Sequence, residues 1–481
     1  MLFNSPIFLF LFLPAVLACY YLCGPRFRNL ILLLASLLFY FWSEIEYTLL
    51  MLFCILSNHI LGYFIEKYRT QAKKILLAAL FVNVLLLAVF KYSAFFTLNL
   101  NTVLSYLGLA LLPIVKTHLP IGVSFFTLQA MTYVFDVYRK EAHPQKNPLN
   151  LALFISLFPQ LMAGPILRYR DVEGQILKRN HTISDFSYGV RRFIMGLGKK
   201  VLIADTLAVV VDRIFMIPAS ELTTGLSWLG ITCFAIQIYY DFSGYSDMAV
   251  GLGRMFGFRF MENFNYPYIS QSLREFWRRW HISLATWFRD YVYIPLGGSR
   301  CSRTRNLLNL LIVFILCGLW HGAEWKFILW GLYNGGFILL EHMGFDRLLL
   351  RFPRMFRHLY VVSVLIFGYV LFRSPTIDAA ISYADVMLGL SGYGTFYYLS
   401  GFYLTKKVVL ALIVGAVGST PMASHMWQRI KSSCDSFGWL CSPLFRVSIC
   451  AFRLMFMVSV LLLSVISLAA YTSNPFIYFR F

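Results

Sequence analysis

The sequence predicts an all-α polytopic membrane protein, and three observations carry that prediction. Of its 481 residues, 59% are hydrophobic and only 13% are charged, whereas a water-soluble domain is roughly a quarter charged. Apolar runs of helix-spanning length recur from one end of the chain to the other. The loops between the first runs alternate in charge. Hydrocarbon offers no water to backbone amides, so a spanning segment of this kind satisfies its hydrogen bonds inside a helix.

In order, the runs lie at 6–23, 29–43, 47–65, 75–91, 102–116, 120–136, 150–163, 193–215, 224–251, 307–321, 325–341, 358–373, 407–418 and 451–472. A full crossing takes about 20 residues, and a run of 10–14 suits a re-entrant or buried segment; the series therefore predicts about 11 spans with a few half-crossings and interfacial helices. Val16-Leu17-Ala18-Cys19 is faintly similar to a lipoprotein cleavage box, but no Lys or Arg precedes Pro6–Leu17. A signal peptide requires that basic start, so the first run reads as an uncleaved membrane helix. Arg26 and Arg28 follow the first run, Glu44 and Glu46 the second, and Lys67, Arg69, Lys73 and Lys74 the third. The positive-inside rule then places 67–74 in the cytoplasm and the amino terminus outside. Without an internal repeat or linker, residues 1–481 read as one integral domain, with its distinctive motifs in about 1–345 and a less distinctive region at 346–481.

The 42 Lys and Arg exceed the 22 Asp and Glu, for a net charge of +20. In a membrane protein this surplus belongs to cytoplasmic loops and to anionic lipid headgroups or a phosphorylated substrate, not to nucleic acid. The nine cysteines are scattered through mostly apolar sequence without a CxxC pair. That pattern supports neither a disulfide framework nor a zinc site, and no metal site is expected.

Polar residues concentrate in the middle of the chain. YYDFSGYSDMAVGLGRMFGFRF, from Tyr239, places Asp241, Ser243, Ser246 and Asp247 in an apolar run. Intramembrane carboxylates face a cavity or a partner; the structural alternative is that both aspartates pair with basic residues such as Arg254 and fix helix packing. LREFWRRWHISLATWFR (273–289) sets Arg274, Arg278, Arg279 and Arg289 beside Trp277, Trp280 and Trp287. Arg and Trp at helical spacing mark an amphipathic helix at headgroup depth, and guanidinium groups there suit phosphate binding. His281 ends the Arg–Trp cluster. Pro295, Gly297 and Gly298 then break regular structure, and Arg300, Arg303 and Arg305 make the next loop cytoplasmic. From that loop, fifteen residues (306–320) carry His321 roughly 22 Å along a helix axis, still within a hydrocarbon core of about 30 Å. A neutral imidazole at that depth is either a packing residue or a general base lining a buried tunnel.

FWRRWHISLATWFRDYVYIPLGG (276–298) followed by GLWHGAEW (318–325) resembles the membrane-bound O-acyltransferase superfamily. The likeness is greatest to its bacterial branch typified by the membrane subunit of alginate O-acetyltransferase. LPIGVSFFTLQAMTYVFDVYR (119–139), FISLFPQLMAGPILRY (154–169), YYDFSGYSDMA (239–249) and the opening LFNSPIFLFLFLP (2–14) agree with that branch. Cys301 departs from the pattern. The resemblance implies a ring of tilted helices around a thin centre, with a tunnel from each face meeting at two residues. It implies that His321 is the catalytic base and that His281 occupies the second catalytic position, orienting the nucleophile or donating to the oxyanion. Arg278, Arg279, Trp280 and Arg289 are then candidates for donor binding, with Asp241, Asp247 and Trp320 supporting the histidines. The implied donor is cytoplasmic acetyl-CoA, with no bound cofactor. The acceptor is an exported polysaccharide such as alginate, served by a periplasmic acetyltransferase partner at the bacterial inner membrane. Two rivals stand beside this reading. One is D-alanyl transfer to teichoic acid from a carrier protein's phosphopantetheine. The other is a transporter with Asp241, Asp247 and the histidines as a proton relay, although the chain shows no inverted repeat.

Overall fold

The computed structural model describes residues 1–114, 118–162, 164–391, 400–436 and 443–470, and every regular element among them is a helix. A π-helical turn at Phe8–Phe12 leads into α1 (Leu13–Leu22), followed by α2 (Arg28–Ser43) and α3 (Tyr47–Lys67). The apolar runs at 75–91 and 102–116 do not form separate crossings. α4 (Ala72–Leu87) continues through a π-helical stretch, Ala88–Tyr92, into α5 (Ser93–Tyr106), so one span covers Arg69–Tyr106. The first run has no Gly or Pro to end it, and the helix stops only before Gly108, whose positive φ terminates it. Residues 115–117 of the second run lie outside the described residues.

Next, α6 (Val123–Tyr138) starts after Gly122, which has φ 75°. The 150–163 run is split into α7 (Pro148–Ser156) and α8 (Phe158–Leu161). Leu157 leaves helical geometry between them, and Pro159 falls in the first turn of the new helix, where its missing N–H is not needed. After α9 (Tyr169–Leu177), α10 (Ile183–Gly198) passes through a π-helical stretch at Lys199–Ala204 into α11 (Asp205–Phe215). The long α12 (Thr224–Met255), capped by Thr223, is the buried axis of this half. The amphipathic segment becomes two short helices, α13 (Leu273–Arg279) and α14 (Ile282–Phe288), with His281 at the break. Then come α15 (Arg303–His321), α16 (Trp325–Leu340), α17 (Asp346–Leu349), α18 (Arg354–Arg373), α19 (Ile377–Met387), α20 (Lys406–Gly418), α21 (Met422–Ser436) and α22 (Pro443–Ala470). Residues 471–472 of the last predicted run, and Cys441, lie outside the described residues.

Five helices among the described residues are long and apolar enough to cross a membrane: α3, the span Arg69–Tyr106, α15, α18 and Val447–Ala470 of α22. The rest of the predicted spans are shorter, broken or, like α12, too polar to qualify by hydropathy alone. The chain is thus an all-helical membrane protein whose interior is built from interrupted helices. The interruptions coincide with Pro159, with His281 and with the π-helical stretches.

Small residues set the closest helix contacts. On α10 and α12, Gly196 faces Gly244 and Gly189 faces Gly251; a Cβ on Gly196 would lie 2.5 Å from the Gly244 carbonyl oxygen, and one on Gly189 would lie 2.6 Å from that of Gly251. Each pair is seven residues apart on its own helix, so the two contacts stack along one seam. On α15 and α16, a Cβ on Gly318 would lie 2.2 Å from the Phe327 carbonyl oxygen, and one on Gly331 would lie 2.4 Å from that of Phe314. In lipid, such close backbone approach replaces the hydrophobic drive that holds soluble helices together.

Charged pairs lock the same elements. Lys200, in the π-helical stretch, sits 2.6 Å from Asp241 and 2.8 Å from Asp205. Asp247 takes Arg192 and Lys199, each at 2.7 Å. The partner suggested by sequence for these aspartates, Arg254, instead bonds Asp185 at 2.7 Å. The correction has a geometric cause: Arg254 lies two helical turns beyond Asp247 on α12, whereas α10 and the π-helical stretch that follows it bring Arg192 and Lys199 alongside.

Candidate active site

His321 is the last residue of α15, and its burial follows from the residues around it. Gly318 lets α16 close over the end of α15, and at Gly322 a Cβ would meet the Phe327 ring at 2.1 Å. Three aromatic rings enclose the imidazole: Trp320 at 4.9 Å, Trp330 at 5.0 Å and Phe372 at 5.3 Å between ring centres. Only 5% of the residue is exposed.

His281 arrives from a different direction. It is the hinge between α13 and α14, in left-handed geometry with φ 44° and ψ 55°, a conformation that strains a residue carrying a Cβ. Asn263 holds it there. The Asn263 carbonyl takes the Ile282 N–H at 2.9 Å, and its side-chain Oδ1 takes the Ser283 N–H at 3.1 Å and the Ser283 hydroxyl at 2.9 Å. The same Oδ1 lies 3.1 Å from His281 Nδ1.

These contacts decide the tautomer. A backbone N–H only donates, so the atom receiving Ser283 is the amide oxygen and not the nitrogen. An oxygen acceptor at His281 Nδ1 requires Nδ1 to carry the proton. Nε2 of the neutral ring is therefore a hydrogen-bond acceptor, and among the described residues it is buried without a protein partner. A neutral His281 so held has an acceptor and no second donor at Nε2.

The two histidines flank Trp320, whose ring centre lies 5.8 Å from that of His281. His321 also forms part of the wall of two cavities. The wider, of about 280 Å³, is lined by residues 118–125 with Lys91, Met162 and Trp320. The other is narrower, at about 20 Å³, and is ringed by Trp277, Trp280, Trp330, Tyr369 and Phe372. His321 is thus the residue that the two cavities share.

The remaining predicted residues divide. Trp280 is in the wall of the narrow cavity, stacked on Phe276 at 5.5 Å. Arg278, Arg279 and Arg289 line neither cavity. Arg278 is exposed and bonds the Arg274 carbonyl at 3.2 Å; Arg279 pairs with Glu275 at 2.9 Å. Arg289 pairs with Asp290 at 2.8 Å, and the same carboxylate binds Arg168 at 2.6 Å and Arg170 at 2.8 Å. Asp241 and Asp247 tie α12 to the α10–α11 segment. Next to Asp241, Phe242 presents its ring edge-on to His281 at 4.5 Å. Asn263, Ser283 and Lys91 escaped the sequence reading. Lys91 had a usable signal, an isolated cation in LLLAVFKYSAFF; Asn263 in MENFNYP had none. Among the described residues, no group of three His, Cys, Asp or Glu side chains could hold a metal ion.

Comparison with known proteins agrees with this geometry. Residues 34–377 match the model of the membrane-bound O-acyltransferase family. The chain is 39% identical to the probable alginate O-acetylase AlgI of Pseudomonas putida over the whole of both proteins. It is 45% identical to the protein of the same name from Pseudomonas aeruginosa, over 79% of this chain and 73% of that one. It is 34% identical to the peptidoglycan O-acetyltransferase of Helicobacter pylori, over 82% and 80% respectively. With a buried histidine shared by two cavities and relatives aligned along its full length, the chain belongs to the membrane-bound O-acyltransferase family.

Proposed function

We propose that this O-acyltransferase takes an acetyl group from cytoplasmic acetyl-CoA and passes it outward for O-acetylation of an exported polysaccharide of the alginate kind. The observation that carries the reading is the placement of His321 in the walls of two cavities, with His281 one aromatic ring away.

The basic loops of the sequence orient the chain. Arg303 and Arg305 open α15 on the cytoplasmic side, so the narrow cavity beneath α13 is the donor side. The cavity lined by 118–125 is the outer, acceptor side. A thioester on a slim pantetheine arm suits the aromatic collar, and Arg278 and Arg279, on α13 with the collar residue Trp277, are the candidates for its phosphates. The inner membrane of a bacterium is the setting in which acetyl-CoA and exported glycan lie on opposite faces. The short apolar helices α1, α2 and α16 would add to the five long spans in a ring of the family kind.

In the reaction, neutral His321 accepts the proton of an incoming hydroxyl as its oxygen attacks the thioester carbonyl carbon. The C=O electron pair moves onto oxygen. When it returns, the C–S bond breaks and the CoA thiolate takes the proton back from His321. His281 Nε2 orients the attacking hydroxyl through a bridging water, which donates one proton to Nε2 and the other to the hydroxyl oxygen, and Asn263 holds His281. The hydroxyl belongs to the sugar or to a periplasmic partner that relays the acetyl group.

The test is ester-linked acetate on the host's exported polysaccharide, comparing wild type, His321→Ala at equal membrane abundance and a deletion strain. Loss of acetate in both altered strains is the expected result. Retained acetate in His321→Ala, with loss in the deletion strain, would make His321 a packing residue. A strict requirement for a charged carrier protein in place of acetyl-CoA would move the chain to the D-alanyl class.

A further inference from the structure

We propose that Lys91 is a catalytic residue. Its ammonium, in the acceptor-side wall beside His321, donates a hydrogen bond to the thioester carbonyl oxygen as that oxygen becomes an oxyanion. The proposal rests on the acetyl-transfer reading above.

Three features of the structure lead to it. Lys91 is in the π-helical stretch Ala88–Tyr92 and lines the 280 Å³ cavity together with His321. Its Nζ donates to the Trp320 carbonyl and, at 3.4 Å, to the Ser124 hydroxyl. The neighbouring Tyr92 hydroxyl bonds the Leu319 carbonyl at 2.8 Å. The α4–α5 span is therefore stitched to the last turn of α15, and the ammonium moves with the residue that precedes His321. An ammonium has three donors, and two are satisfied by these contacts.

Charge supplies the second argument. The other interior lysines are neutralised: Lys200 by Asp205 and Asp241, Lys199 by Asp247, and Lys326 by Glu324 at 3.3 Å. Among the described residues, no carboxylate oxygen lies within 4.0 Å of Lys91 Nζ. An intramembrane cation without a counter-charge is costly and marks a site of function. A transient oxyanion is a counter-charge that exists only in the transition state, which is where stabilisation accelerates a reaction.

The third argument is the His281 tautomer. With its Nδ1 proton committed to Asn263 and its ring in the wall of neither cavity, His281 has no proton to offer the oxyanion, whose donor comes from another group. Lys91 is the cation in the wall that also contains the base. In the balanced step, His321 gains the hydroxyl proton, the new O–C bond forms, and the carbonyl electron pair sits on the oxygen bonded to Lys91. Collapse of that intermediate expels the thiolate, which is reprotonated by His321. Lys91 keeps its own protons throughout.

The experiment uses inverted membrane vesicles from host cells producing the full chain, supplied with acetyl-CoA labelled in the acetyl group. Ester-linked label on the polysaccharide is counted against acetyl-CoA concentration. Lys91→Met is expected to lower the maximal rate by about 10²–10³-fold with KM for acetyl-CoA within about twofold of wild type. Lys91→Arg, which keeps a donor cation, should recover at least tenfold of that loss. Lys91→Ala supplies a chemical test: added ethylammonium should raise its rate and leave wild type unchanged, an effect that a packing defect would not show. A wild-type maximal rate in Lys91→Met would overturn the proposal, as would a raised KM with an unchanged maximal rate. Failure of all three variants to accumulate in the membrane would show that Lys91 is structural and would also overturn it. If wild-type vesicles transfer no label, the acetyl-transfer reading itself fails and this proposal falls with it; if only the Lys91 predictions fail, that reading stands.

Discussion

Helices α12 and α22 are both long and occupy opposite environments. α12 is buried along nearly all of its length from Leu226 to Met255 and carries Gln237, Asp241, Asp247 and a series of glycines. α22 is the more apolar, yet only 6% of its apolar window is buried, with Phe452, Leu454, Leu462 and Ile466 exposed. A soluble protein would reverse this arrangement. In lipid, apolar surface gains nothing by leaving hydrocarbon, so burial goes to helices that can pack backbone against backbone or pair a charge. Polar and small residues therefore mark the interior, and the candidate span of highest mean hydropathy is the least buried.

Substitutions at the two helices should break or sharpen this contrast. The largest effect is expected at the α10–α12 seam. Gly196→Leu puts side-chain atoms where a Cβ alone would already lie 2.5 Å from the Gly244 carbonyl. It should cost upwards of about 4 kcal/mol, visible as loss of folded protein in a thermal-unfolding assay in detergent. A folded, stable Gly196→Leu variant would mean that the seam is looser than drawn.

Asn263→Ala comes next. The helices stay intact, but His281 loses the oxygen that fixes its tautomer and its left-handed backbone. Acetyl transfer should fall by about 10–100-fold, a fraction of the value of acid–base catalysis, with membrane abundance unchanged. Asn263→Asp, which retains an acceptor oxygen, should lose less. Equal losses would show that Asn263 acts through packing and not through the ring proton.

Opening the ion pairs on α12 should have an intermediate effect on stability and a small one on chemistry. Asp247→Asn leaves Arg192 and Lys199 without their shared carboxylate. A loss of about 1–3 kcal/mol is expected, read as an earlier thermal midpoint, while the residual folded fraction keeps its acetyl-transfer rate. A tenfold fall in rate at full folding would instead place Asp247 in the catalytic machinery.

The smallest effect belongs to α22. Leu462→Ala removes a side chain already 55% exposed and should shift stability by no more than about 0.5 kcal/mol. A larger loss would indicate that α22 packs against another surface in the membrane.

The environment and the chemistry of this protein were legible in its sequence. Apolar runs report hydrocarbon, because each helix must be long enough to cross it, and basic loops report the cytoplasmic side. The long motifs around His281 and His321 carried the family resemblance, and that resemblance, not position alone, singled out both histidines with Trp280 and Trp320. The glycine seam also left a trace, the seven-residue spacing of Gly189 with Gly196 and of Gly244 with Gly251, although its meaning needed both helices.

Other features were decided only in three dimensions. Run length could not count the crossings, because the π-helical stretch at Ala88–Tyr92 fuses two runs and Leu157 divides another. Sequence proximity suggested Arg254 for the α12 aspartates, but helix packing chose Lys200, Arg192 and Lys199. Nothing local in MENFNYP marks Asn263 as the residue that sets the His281 proton. Nothing local in AVFKY places Lys91 against the carbonyl of Trp320. Local sequence fixes solvent preference and helix length, since each depends on residues within a few turns. Hydrogen-bond partners, tautomers and cavity walls depend on residues tens to hundreds of positions apart, and only the tertiary structure brings them together.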